Sequence, residues 1–356
     1  MPPIGMALVG AGYFGPHLLR NAQQVPELRV RAVCDLDADR ARAVVGPYST
    51  IEVTDSFSRI LDDPEIEAVA IATPAATHFD LARAALEAGK HVLVEKPITA
   101  SLAEGEKLVE LAEESGRVLM CDHTLCYTPV VQRIRELVHG GEIGEVLFVD
   151  AVRINLGLVQ PDVDVIWDLA PHDLSVFDFV LPPGVRPVAV AAHGADPIGA
   201  ERACVAYLSV WLSNGAIAHV HLNWLSPTKI RTTVIGGSRR TIIWDDVTPG
   251  RRLAVYDRGV DRIPAADLDE GERTRARVAY RVGDIHIPAL PETEALRGVM
   301  AEFAAAIGSG RPALTDGWAG LRVLQLLTAA DESLRSGGAI VRIEGHLEGH
   351  REGRKA

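Results

Sequence analysis

Three short stretches of this chain carry side chains whose types and spacing could do chemistry. In Val92-Leu93-Val94-Glu95-Lys96-Pro97 an apolar run ends abruptly in two opposite charges and a proline. A lysine at the C-terminal edge of a parallel strand faces the crevice where such sheets take their ligands, and its ammonium could donate to a hydroxyl or carbonyl oxygen. The same two charges would also serve as an ion pair at a surface turn. In Trp167-Asp168-Leu169-Ala170-Pro171-His172-Asp173 an acid and an imidazole lie four residues apart, on one face if the segment is helical. A carboxylate beside an imidazole fixes its tautomer and supports its charged form, as a general acid/base requires. Asp173, about 100° further round such a helix, is better suited to orienting a substrate or to capping. Pro171 leaves the start of that helix open, and a histidine satisfied at a helix start is the structural alternative.

The third stretch, Gly10-Ala11-Gly12-Tyr13-Phe14-Gly15, follows an apolar strand and opens a helix at Pro16. Its glycines suit a tight turn, close backbone approach to a pyrophosphate, and close helix–strand packing. The helix start then offers free N–H groups and a positive dipole end to an anion, and a first-turn proline sacrifices no hydrogen bond there. Asp35 ends the next strand, about 20 residues on, where an acid accepts from ribose hydroxyls and repels a 2′-phosphate. That favours NAD over NADP. Arg40 and Arg42 lie near enough to soften the preference, and capping of the helix near Asp37 is the bland role for Asp35.

Elements able to position these groups are legible around them. Apolar runs at 4–9, 28–34, 68–72, 91–94 and 118–120 alternate with helical stretches at 16–24, 38–45, 57–61, 78–88 and 103–115. Such alternation predicts an α/β fold, a Rossmann-type doubly wound parallel sheet, with Gly89 and Gly116 at helix C-caps. Beyond residue 122 the pattern changes. A helix at 128–139 precedes a strand at 146–155, a second helix covers 170–180, and strand-like runs follow at 187–192, 204–212, 216–223, 230–236 and 241–244. The turns at 213–215 and 237–238 are hairpin-like, so this part should be α+β with a large, mostly antiparallel open sheet, closed by helices at 293–307 and 317–336. The expected domains are 1–121 for the dinucleotide and 122–345 for substrate and oligomerisation, with 346–356 a polar tail. The charged 250–287 segment should form loops and weak strands.

Composition narrows the function classes. A length of 356 residues suits two cores, and a net charge of −12 argues against nucleic acid as partner. Cys34, Cys121, Cys126 and Cys204 form neither a disulfide framework nor a zinc set, so we expect free thiols and no metal. A first strand within ten residues of Met1 and the lack of a long apolar run lead us to expect no signal peptide, no membrane span and a cytoplasmic protein. Apolar strands in an open sheet with too few helices to cover it suggest a subunit interface, hence a homodimer or homotetramer.

Taken in order, the glycine turn, Thr73-Pro74-Ala75-Ala76-Thr77-His78, Glu95-Lys96-Pro97, 122–144 and 167–175 resemble the glucose–fructose oxidoreductase/inositol dehydrogenase/MocA family over nearly the whole chain. The resemblance implies hydride transfer between NAD and a secondary alcohol of a sugar, sugar nucleotide or cyclitol. By resemblance Lys96, Asp168 and His172 are catalytic, with Lys96 and His172 interchangeable as the proton-transfer group. Gly10, Gly12, Tyr13, Phe14, Gly15, Asp35, Thr73, Pro74, His78, Glu95 and Lys96 would line the cofactor. Lys96, His123, Tyr127, Arg153, Asn155, His172 and Asp173 are the candidates for substrate contact. The turn, His123-Thr124 and the Trp167 segment are similar to a branch acting on UDP-linked amino sugars. Cys121-Asp122-His123 departs from it, since glycine usually precedes that histidine, and Leu125-Cys126 replaces bulkier residues. An NAD-retaining glycosidase and a non-catalytic NAD(P) sensor are the rival functions on this fold.

Overall fold

The computed structural model describes residues 2–262 and 278–343, so the tail expected at 346–356 and the middle of 250–287 lie outside the described residues. Apolar strands of branched residues alternate with amphipathic helices through the first third of the chain. They give β1 (Ile4–Val9), α1 (Gly15–Ala22), β2 (Leu28–Cys34), α2 (Ala38–Val45), β3 (Glu52–Thr54), α3 (Phe57–Asp62), β4 (Ala68–Ile71), α4 (His78–Glu87), β5 (His91–Glu95), α5 (Leu102–Ser115) and β6 (Leu119–Asp122). The strands form one sheet in the order β3-β2-β1-β4-β5-β6, with every pairing parallel. The order reverses between β1 and β4, which sets the ligand crevice at the C-terminal ends of the strands. Met6, Ala7, Leu8, the whole of β4 and Val92–Val94 are buried, so the sheet is covered on both faces, as a parallel sheet must be. Strand β3 was not foreseen, because three residues are too few to show a period.

The chain then runs through α6 (Pro129–His139), β7 (Val146–Leu156), α7 (Val165–Val180), β8 (Pro187–Ala195), β9 (Val205–Leu212), β10 (Ile217–Asn223), β11 (Leu225–Gly237), β12 (Thr241–Asp245), β13 (Leu253–Tyr256), β14 (Gly259–Arg262), β15 (Val278–Arg281), β16 (Ile285–His286), α8 (Ala295–Ser309), α9 (Gly317–Arg335) and β17 (Val341–Arg342). Nine strands form a second sheet, β16-β13-β12-β11-β7-β10-β9-β8-β17, antiparallel except for the β7–β10 pair. Strands β14 and β15 form a separate antiparallel pair. Hairpins at 213–215 and 237–238 join β9 to β10 and β11 to β12.

Two compact units result: 1–129 with 174–179 and 292–328, and 130–173 with 180–291 and 329–356. Each unit thus draws on more than one stretch of the chain. Within the first unit α8 packs on α1, and Thr315 accepts the Cys121 N–H at 2.9 Å. In the second unit α7 starts at Val165, five residues earlier than its sequence suggests, with Pro171 inside the helix. Asp164 makes this start possible, since its Oδ1 accepts from the N–H groups of Ile166 (2.9 Å) and Trp167 (3.0 Å). No described helix is long and apolar enough to cross a membrane. None of the four cysteines is in a disulfide, and all are buried.

Candidate active site

The glycine turn joins β1 to α1 at the point where strand order reverses. Gly10 has φ +98°, and a side chain there would lie 2.5 Å from the Ala72 carbonyl oxygen, at the end of β4. A Cβ on Gly15 would collide with the Gly10 carbonyl, whereas one on Gly12 would meet nothing within 4 Å. Gly12 is therefore the open face of the turn. Helix α1 has no side-chain cap and no acid in its first turn, and Pro16 stands at its start. Its amide donors and positive end remain available to an anion. Tyr13 is 86 % exposed, with its ring edge against Phe14 and His17.

Asp35 sits just beyond β2 with its Oδ2 on the Ala11 N–H at 2.6 Å and its Oδ1 on the Asp37 N–H at 2.8 Å. The carboxylate is thereby locked against the glycine turn. Capping of α2 falls to Asp37, whose side chain accepts the Arg40 N–H at 3.0 Å. Arg40 lies 3.6 Å from Asp35 and 3.3 Å from Asp37, and Arg42 pairs with Asp39, so carboxylates already hold both arginines. Leu36, not among the expected site residues, is 95 % exposed beside Asp35. Its signal was an apolar residue in a loop of acids.

The loops after β4 and β5 are tied together by His78. Its Nδ1 lies 2.8 Å from the Pro97 carbonyl and its Nε2 2.9 Å from the Thr73 carbonyl, and burial lowers its basicity. We expected His78 to line a cofactor. With a fully buried ring and both nitrogens on backbone carbonyls, it fixes the loop carrying Thr73 and Pro74 to the one carrying Lys96. Lys96 is half-buried, one residue past the end of β5.

Glu95 is not half of a surface ion pair. It is buried, its Oε2 accepts the Lys96 N–H at 3.3 Å, and its carboxyl meets that of Asp122 on β6. His123 is also buried, with no partner at Nε2, and burial drives it down to about 4. Tyr127, expected at substrate, has its buried hydroxyl 2.9 Å from Thr315 Oγ1, and burial raises its pKa well above the usual phenol value. It belongs to the core of the first unit.

In the second unit Asp168 and His172 both fall within α7, so their four-residue spacing places them on one face. The buried Trp224 donates its indole N–H to Asp168 Oδ2 at 2.9 Å. Asp173 and Arg153, both expected to contact substrate, bind each other. Arg153 Nε donates to Oδ2 at 2.6 Å and Nη2 to Oδ1 at 2.9 Å, and both side chains are buried. This bidentate pair fastens α7 to β7. Asn155, also on β7, is half-buried.

Comparison with known proteins bears on this arrangement. Residues 4–123 match the oxidoreductase family with an NAD-binding Rossmann fold, and residues 131–243 match the GFO/IDH/MocA C-terminal domain. The chain belongs to the Gfo/Idh/MocA oxidoreductase family. It is 30 % identical to the UDP-N-acetylglucosamine 3-dehydrogenase of Acidithiobacillus ferrooxidans over 88 % of this chain and 86 % of that protein. The solved structure of that dehydrogenase superimposes with a TM-score of 0.77 over 95 % of this chain and 99 % of the other, at 27 % identity. The inositol 2-dehydrogenase of Salmonella typhimurium is 31 % identical over 49 % of this chain and 53 % of that enzyme. At 24 % identity, an inositol dehydrogenase homologue from Azotobacter vinelandii, solved with NADH and myo-inositol, shares the fold with a TM-score of 0.77.

As a Gfo/Idh/MocA member the protein is an NAD-binding oxidoreductase. Its residues fit the dinucleotide: the open face of Gly12, the uncapped α1 and the fixed carboxylate of Asp35 are what a pyrophosphate and a ribose require.

Proposed function

We propose that the protein oxidises a secondary alcohol of a sugar or sugar nucleotide, or reduces the matching ketone, with Lys96, Asp168 and His172 as its catalytic residues. The observation that carries this reading is the position of Lys96: a half-buried ammonium at the C-terminal end of β5, on the crevice side of an NAD-binding sheet. NAD, when bound, supplies the hydride acceptor. Lys96 donates to the reacting oxygen and stabilises its developing charge. His172 takes the hydroxyl proton, and Asp168, steadied by Trp224, holds the imidazole in the right tautomer. Either Lys96 or His172 suits the proton transfer. Asn155, on β7, is retained as a substrate contact. Likeness to a UDP-N-acetylglucosamine 3-dehydrogenase over most of both chains supports nucleotide sugars, with cyclitols next.

The test is a panel of nucleotide sugars, free sugars and cyclitols followed at the NADH absorbance band. Net NADH formation with one class is the expected result. Turnover of a glycoside without net NADH would replace this reading with a retaining glycosidase, and binding of NAD with no turnover would replace it with a sensor.

We also propose a cytoplasmic homo-oligomer built on the nine-stranded sheet. Along β9 and β10 one face is buried, while the other exposes Tyr207 and Ile217, with the Tyr207 ring stacked on His221 at 4.5 Å. An exposed apolar sheet face of this kind suits a second copy of the same chain.

A further inference from the structure

Beneath Lys96 the first unit holds two carboxyl groups for which hydride transfer has no evident use. Glu95 ends β5 and Asp122 ends β6, and the two are register partners on neighbouring parallel strands. Glu95 is 7 % exposed and Asp122 1 %. Each has one oxygen supplied with a donor: Glu95 Oε2 by the Lys96 N–H at 3.3 Å, and Asp122 Oδ1 by the Thr124 hydroxyl at 2.8 Å. The other oxygens, Glu95 Oε1 and Asp122 Oδ2, are buried and have no donor. The two carboxyls nevertheless lie within hydrogen-bonding reach of each other.

Two ionised carboxylates cannot rest like this. Each would be a buried charge repelling the other, and two oxygens would lack partners. One proton between them removes the repulsion and supplies the missing bond. We infer that Glu95 and Asp122 share a single proton and act together as a positioning pair for Lys96, presenting its ammonium with one negative charge rather than two. Burial first, and then the neighbouring carboxylate, pushes Glu95 well above the ordinary range, and burial raises Asp122 as well. Lys96 is the cation whose field lowers both.

The other ionisable groups near the pair do not compete for this role. Cys121 and Tyr127 are held neutral by burial, and His123 is pushed down to about 4. Asp178 and Arg322 act on His123 and are bound to each other at 2.7 and 2.8 Å, with Asp316 beside Arg322.

The inference rests on the reading of Lys96 given above, and its test runs without substrate, so that the two can fail separately. Infrared spectra of the wild-type protein at neutral pH should show the carbonyl stretch of a protonated carboxylic acid, and Glu95→Gln and Asp122→Asn should each abolish it. In either single variant the new amide donates to the remaining carboxylate and the pair keeps its one negative charge. The pH dependence of Lys96 acylation, read by mass spectrometry, should therefore stay close to wild type in both. In the double variant Glu95→Gln/Asp122→Asn that charge is gone, and the acylation midpoint should fall by about one unit or more. Absence of the band from the wild type would overturn the inference without recourse to any variant. So would single variants that shift Lys96 as far as the double one.

Discussion

Lys96 and Asp35 make separable demands at the scale of single residues. Lys96→Met should leave NAD affinity near wild type while kcat falls roughly a hundred- to a thousandfold, the usual effect of removing one donor from a developing oxyanion. Fluorescence titration with NADH and steady-state turnover would check the two halves. Asp35→Ser removes the carboxylate that a 2′-phosphate would meet, so the ratio of kcat/KM for NADP to that for NAD should rise roughly tenfold or more. His123 predicts a pH effect on stability. Its folded form is pushed from 6.5 down to about 4 by burial, with Lys96 and Arg322 adding to the shift and Asp178 opposing it. Between those values the unfolded chain binds the proton and the folded chain does not, so stability is fully present above 6.5 and is lost as pH falls. The loss should approach about 3 kcal/mol at the acid end. Across this range the urea midpoint of wild type should fall relative to that of His123→Leu as the pH is lowered. Parallel curves would show that His123 is not the titrating group.

The elements explain which candidates could be recognised from sequence and which could not. Asp35 and the glycines were legible because turn geometry and strand spacing are local properties. Asp168 and His172 were legible as a pair, but Pro171 hid the true start of α7, which depends on the cap at Asp164. The partners of Arg153, Asp173, Tyr127 and Glu95 were hidden for a common reason. Polar side chains that reach a ligand and polar side chains that satisfy one another look the same until the partner, often far along the chain, is seen. The Arg153–Asp173 pair gives a test at this scale. Arg153→Met or Asp173→Leu alone strands a buried charge and should cost about 3–5 kcal/mol, whereas the double variant should recover much of that loss. Thermal melts of the three variants would decide it.

For the whole molecule, the parallel sheet and its partner sheet followed from the change in periodicity near residue 122, but the discontinuous division of the chain did not. A regular pattern says which residues are apolar, not which distant segment will cover them. Tyr207→Glu/Ile217→Glu places charge on the exposed sheet face and should reduce the assembled mass measured by light scattering, with NAD binding by the first unit retained. An unchanged mass would move the interface elsewhere. The division also has a consequence for synthesis. The unit carrying the glycine turn includes residues 292–328, among them α8, which packs on α1. Emerging N-terminus first, it cannot close until nearly all of the chain has left the ribosome. Until then the apolar side of α1 and the region around Cys121 await a late segment, making the nascent chain a natural client for chaperones. A fragment cut near residue 129 would be left permanently in that unfinished condition.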